Sequence, residues 1–173
     1  LLPTIISRCQ LIPFHPLNSR ICFELCKEEL GELDAYLLSG MIHSPQEMKE
    51  VSESEAYQHA RTLFFSFIEQ SCTSLHQAHA SLLKEGFDNK RIDGKQCMRY
   101  FLEMLMTFYR DMIKGNAIIQ HELYQSCLSK QKSIHRNPQH MLEILLTTRD
   151  KLWKSVNLNL LCDQMVYRMK NDI

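Results

Sequence analysis

No apolar run in the 173 residues approaches the roughly 20 that a membrane-spanning helix needs, so a spanning protein is excluded at this level. Glycine and proline occur five times each and singly, which excludes a collagen-like or low-complexity chain and leaves no Gly-rich loop to cradle a phosphate. Neither CxxC nor HExxH occurs, so no metal-ligand spacing is legible. Net charge is also missing. Twenty Lys and Arg face twenty Asp and Glu, well short of the basic excess that phosphate neutralisation demands of a typical nucleic-acid binder. The chain opens Leu1-Leu2-Pro3-Thr4 without methionine or a charged n-region, and reads as a piece cut from a longer chain with no signal peptide visible.

What is present is a core. With 45% hydrophobic residues, a chain of this length can bury roughly 70% of its unfolded surface as one body. The charge balance hides an asymmetry, because residues 1–83 carry five basic and ten acidic side chains and residues 84–173 carry fifteen and ten. Two oppositely charged halves suit neighbouring protein surfaces. The cysteines, Cys9, Cys22, Cys26, Cys72, Cys97, Cys127 and Cys162, are odd in number and irregular in spacing, which favours reduced thiols over a disulfide framework. Cys22 with Cys26, and His76 with His79, can each share a helix face, but a zinc site needs three or four converging ligands, so these read as core or surface residues. Ser133 and His135 have no identifiable acidic partner, and no nucleophilic triad is expected.

Residues 1–14 are extended in character. Leu1, Leu2, Ile5, Ile6, Leu11, Ile12 and Phe14, punctuated by Pro3 and Pro13, read as the last strand of a sheet that is otherwise missing. From residue 16 the 3.6 period takes over. Asn18 caps a helix with an apolar stripe of Ile21, Cys22, Leu25, Cys26 and Leu30, stopped at Gly31. A short helix through Leu33, Tyr36 and Leu37 ends at Gly40, and Ser44-Pro45-Gln46-Glu47 starts a third. A larger block begins near Ser54 with Tyr57, Ala60, Phe64, Phe67, Ile68 and Ser71. Leu75, Ala78, Leu82 and Leu83 form the next stripe, and a polar loop spans 86–95. Asp93 then caps a helix to Lys114 through Phe101, Leu102, Leu105, Phe108, Tyr109 and Met112, with Gly115 as its stop. Residues 116–130 read as helical through Ile119, Leu123 and Cys127. Asn137-Pro138 opens another helix, through Met141, Leu145, Leu146, Leu152 and Trp153. A last one, 158–170, carries Leu161, Met165, Val166 and Met169. The expected fold is all-α, with three small helices followed by about five larger ones.

The segment Leu2-Pro3-Thr4-Ile5-Ile6-Ser7-Arg8-Cys9-Gln10-Leu11-Ile12-Pro13-Phe14 resembles the Ser-Arg-Cys segment that ends the nucleotide-binding domain of clamp-loader AAA+ subunits. Phe108-Tyr109-Arg110-Asp111-Met112 and Asn157-Leu158-Asn159-Leu160-Leu161 before Met165-Val166-Tyr167-Arg168-Met169 resemble the bacterial DNA polymerase III members of that family, in particular a subunit not thought to hydrolyse nucleotide. The resemblance implies three parts: the end of the nucleotide-binding domain at 1–14, a helical lid at 15–53 and a C-terminal collar, or oligomerisation domain, at 54–173. It also implies that Arg8 is an arginine finger, reaching in trans into the ATP site of a neighbouring motor subunit, with Ser7 and Cys9 fixing the backbone that carries it. A guanidinium is always charged and presents a planar fork of donors, which suits the charge developing on a γ-phosphate.

Further expectations follow from the resemblance. The chain is not an enzyme by itself and needs no cofactor, although its parent belongs to the DNA polymerase III holoenzyme, a DNA-directed DNA polymerase and nucleotidyltransferase. Its partners are the tau/gamma and delta subunits of a heteropentamer, and through that complex the sliding clamp and primed DNA. Little affinity for DNA is expected of the chain itself, and its place is cytoplasmic, away from membranes. Where nucleotide-binding members carry a sensing arginine near the third lid helix, this chain reads His43-Ser44-Pro45-Gln46-Glu47-Met48, which counts against the alternative of the tau/gamma motor subunit. Leu83, Phe87, Tyr100, Met104, Tyr124 and Trp153 are candidates for apolar faces between collar neighbours. An alternative of another class is a helical nucleic-acid-binding domain using Lys84, Lys90, Arg91, Lys95 and Arg99, a cluster interrupted by Glu85, Asp88 and Asp93.

Overall fold

Short polar side chains placed just before apolar-periodic stretches start most of the helices. Asn18 Oδ1 accepts from Arg20 N at 2.7 Å, opening α1 (Ser19–Leu30). Gly31, at φ 83°, ends that helix and leads directly into α2 (Glu32–Ser39). Ser44 Oγ accepts from Glu47 N and Pro45 occupies the first turn of α3 (Pro45–Ser52). Ser54 Oγ does the same for Tyr57 N at the start of α4 (Glu55–Ser71). Then follow α5 (Leu75–Glu85), α6 (Gly94–Lys114), α7 (Glu122–Lys132), α8 (Pro138–Leu152) and α9 (Leu158–Lys170). Asp93, Asn137 and Asn157 each accept two backbone N–H bonds in front of α6, α8 and α9. The computed structural model describes residues 17–87, 92–115, 117–134, 136–154 and 157–170. Among these the fold is all-α, as expected, and no helix is long and apolar enough to cross a membrane. The extended segment expected at 1–14 lies outside the described residues.

The sequence of α6 is apolar nearly all round. Cys97, Met98, Phe101, Leu102, Met104, Leu105, Met106, Phe108 and Tyr109 are all buried, which makes α6 the axis of the larger block. It packs against α4 and α8, with α7 and α9 in lesser contact and α5 laid on α4. Edge-to-face aromatic pairs join the elements: Phe67 with Phe101 at 5.7 Å, Phe87 with Phe101 at 5.3 Å and Phe108 with Tyr124 at 5.5 Å. Each fully buried ring or Met side chain on α6 contributes about 1.5–3 kcal/mol relative to solvent exposure. The first three helices pack on one another and share one buried cluster with the rest. Gly40 sits against α6 so closely that an added Cβ would lie 3.3 Å from Thr107 Oγ1.

Several local expectations need correction. On α1 the buried face is Cys22, Phe23 and Cys26, whereas Ile21 and Leu25 are 48% and 61% exposed. The inward face is the one packed against α2 and α3 as a whole, and periodicity alone does not distinguish two adjacent apolar sectors of one helix. Leu83, Leu123 and Trp153 are exposed rather than inside. Residues 117–121 are not helical, because α7 begins only at Glu122. Ile119 is nevertheless buried, and Gln125 Nε2 donates to its carbonyl at 2.6 Å. The larger block holds six described helices, not about five.

Candidate functional site

The polar chemistry inside the molecule gathers where the first three helices meet the larger block. Asp111 falls at i+3 from Phe108 on the inward side of α6, so its carboxylate enters the core at 3% exposure. Tyr36 Oη on α2 donates to its two oxygens, both at 2.8 Å, and Tyr124 Oη on α7 donates to Oδ2 at 2.8 Å. Among the described residues no cationic side chain forms an ion pair with Asp111. Burial pushes its carboxyl above the ordinary carboxylate range, while the two hydroxyl bonds and the more distant Lys114 and Arg110 pull the other way. Burial and the adjoining carboxylate push both phenols far up, so Tyr36 and Tyr124 keep their protons and act as donors. Phe23 and Tyr124 stand edge-on to Tyr36, each at 6.1 Å, and Tyr36 itself is half-buried.

A second junction repeats the chemistry one helix away. Tyr57 Oη on α4 donates to Asp34 Oδ1 on α2 at 2.8 Å, and Arg61 Nε lies 2.8 Å from the same oxygen. At the opposite end of α4, buried Gln131 of α7 donates to Ser71 Oγ at 2.6 Å, and Arg136 Nη1 donates to Ser71 O at 3.1 Å. These carboxylates and amides anchor helices. None sits beside a nucleophile and base in hydrogen-bond sequence, and the described thiols of Cys97 and Cys162 are pushed up to about 12 by burial. Among the described residues no group of three His, Cys, Asp or Glu converges as metal ligands. Cys22 and Cys26 do share a face of α1, as their spacing implies, but both are fully buried in the core.

The surface carries several grooves, of which two adjoin polar or aromatic side chains already described or singled out. One, of about 550 Å³, lies between α1 and α2 with Phe23, Tyr36 and Ile118 in its wall. The other, of about 390 Å³, runs between α5 and α9. There His79 Nε2 meets Asp163 Oδ1 at 2.7 Å, and the 67% exposed Tyr167 lines the same groove. Of the sequence-derived interface candidates, Leu83 and Trp153 are exposed and Tyr100 is half-buried. Phe87, Met104 and Tyr124 are core residues: Phe87 and Met104 pack around α6 and Tyr124 serves Asp111, so none of the three can face a neighbour. Arg8, Ser7 and Cys9 lie outside the described residues, as do Lys90 and Arg91. Sequence reasoning missed Tyr36 and Asp111 as partners. The available signal was a lone acidic residue at core spacing, Phe101, Met104, Phe108, Asp111, on an otherwise apolar stripe.

No family model and no solved structure matches the chain. The resemblance read from residues 2–14, 108–112 and 157–169 is nevertheless borne out by a curated sequence. Over 181 aligned positions, covering 98% of this chain, it is 28% identical to the DNA polymerase III subunit delta' of Bacillus subtilis (strain 168), and it spans about half, 53%, of that protein's length.

Proposed function

We propose that this chain forms the lid (15–53) and collar (54–173) of a delta-prime-type clamp-loader subunit, preceded by the end of its nucleotide-binding domain (1–14). The observation that carries this reading is the similarity, over 98% of this chain, to about half of the Bacillus subtilis delta' subunit. The order of three helices packed on one another followed by six described helices around α6 agrees with it. In this reading the subunit helps to load the sliding clamp onto primed DNA during replication. It hydrolyses no nucleotide itself and contributes to the DNA polymerase III holoenzyme as an assembly element in the cytoplasm. Arg8 acts in trans as the arginine finger of a neighbouring tau/gamma subunit, and Ser7 and Cys9 hold its backbone. The Asp111 and Asp34 junctions support the same role mechanically, because a subunit that presents a finger to its neighbour must hold its helices in fixed register.

Assembly tests the proposal. The 173-residue chain, and the whole protein that contains it, are each mixed with tau/gamma and delta subunits and their masses read by size exclusion with light scattering. A stable heteromeric species containing the whole protein is the expected outcome. If the whole protein elutes alone from the mixture, the clamp-loader reading is wrong.

A further inference from the structure

The chain's one tryptophan stands in an unusual setting. Trp153 caps the C-terminus of α8 and is 62% exposed, while the rings of Tyr57, Phe64, Phe101, Phe108 and Tyr124 are fully buried. Its face is not bare of chemistry. Arg99 reaches across from α6 and places its guanidinium carbon 6.0 Å from the ring centroid. Lys95 lies one turn before Arg99 on α6, and Lys154 follows the tryptophan directly. Both lysines are solvent-exposed. Among the described residues neither they nor Arg99 has an ion-pair partner. Of the acidic groups nearby, Glu103 and Asp150 each lie 3.6 Å from Arg149, one turn before Trp153, and Asp93 accepts from the backbone of Lys95 and Gln96.

An exposed indole flanked by unpaired cations matches the physical requirements for holding a single nucleic-acid strand. Each base offers a π-face that stacks on an aromatic ring, and the backbone phosphates meet the lysines and the guanidinium. A protein partner would need apolar area around the ring to exclude water, and here the surroundings are charged. We propose that Arg99, Trp153, Lys95 and Lys154 form a weak, sequence-tolerant site for single-stranded nucleic acid. This cluster differs from the run Lys84–Arg99 in the sequence, because folding brings the tryptophan of α8 to the arginine of α6. The site belongs to the chain whether or not it assembles in a ring.

The tryptophan itself reports occupancy. The full 173-residue chain is titrated with a thymidine oligonucleotide of about 20 nucleotides at low salt, following Trp153 emission. Saturable quenching is expected, with a dissociation constant of about 1–100 µM that weakens with salt at a log–log slope of about −2, as three neutralised phosphates of a single strand require. Binding to a labelled oligonucleotide, read by anisotropy, should weaken about tenfold in Trp153→Ala and by a similar factor in the double variant Arg99→Gln/Lys154→Gln. Circular dichroism checks that each variant keeps its helices. Three results would overturn the proposal: no quenching at low salt, equal quenching by polyglutamate, or equal affinity in folded variants. Tighter binding to duplex than to single strand, with emission unchanged, would also overturn it and assign the cations to plain phosphate contact.

Discussion

Asp111 sits in a place where ionisation is costly, and its neighbours define what substitution will do. Removing the Tyr36 hydroxyl leaves the buried carboxyl one donor poorer, so Tyr36→Phe should destabilise the chain by about 1–3 kcal/mol in urea unfolding. Asp111→Asn should behave differently. Its amide still accepts from one phenol and donates to the other, and no buried charge remains. The native carboxyl of Asp111 is raised above the ordinary value of 3.8, so protonation favours the folded state. This group's stabilisation is present below that ordinary value and is lost as pH rises through the raised native one. Wild type should therefore lose stability relative to Asp111→Asn across that window, and a constant difference from pH 3 to 7 would contradict the assignment. Arg8 belongs to the same scale. In the whole protein, Arg8→Ala should leave assembly intact while lowering the clamp- and DNA-stimulated ATPase of the complex by about 10³-fold or more, the usual worth of such a finger. Normal turnover in an assembled complex would remove Arg8 from any catalytic role.

At the scale of elements, the helix starts were more legible than the faces. Asn18, Ser44, Ser54, Asp93 and Asn137 each mark a start in the sequence and each side chain caps in the structure, because capping is a bond between residues two or three apart. Faces depend on what lies opposite. Ile21 and Leu25 belong to the apolar sector of α1 as surely as Cys22 and Cys26, yet only the second pair is buried. The capping bonds also permit a quantitative check. Asp93 alone satisfies two amides at the start of α6, so Asp93→Ala should cost about 1–2 kcal/mol, while Asp93→Asn or Asp93→Ser should restore most of it. Equal melting of all three variants would mean that water satisfies those amides equally well.

For the whole molecule, the all-α class was readable because the 3.6 period persists through every described element. The all-α reading needs no long-range information. The junctions were not readable, since Tyr36 and Asp111 stand 75 positions apart and nothing local pairs them. The same limit hid the Arg99–Trp153 contact, which joins two helices that are remote in sequence. The proposed finger shows the converse: the Ser-Arg-Cys motif is a local pattern, legible before any coordinate of the fold is known.

The Tyr36–Asp111–Tyr124 bonds have a mechanical side. A single carboxylate ties α2 to α6 and α7, and Tyr57 with Asp34 ties α2 to α4 at a second point. Two separated pins on one short helix resist twisting as well as pulling, whereas a single pin would permit a swivel. Rotating the first three helices against the rest would strand a buried carboxyl and the phenol bonded to it, so the described helices should turn together, as a stiff lever arm. A torque applied near Leu17 is then carried into the larger block rather than absorbed at their border.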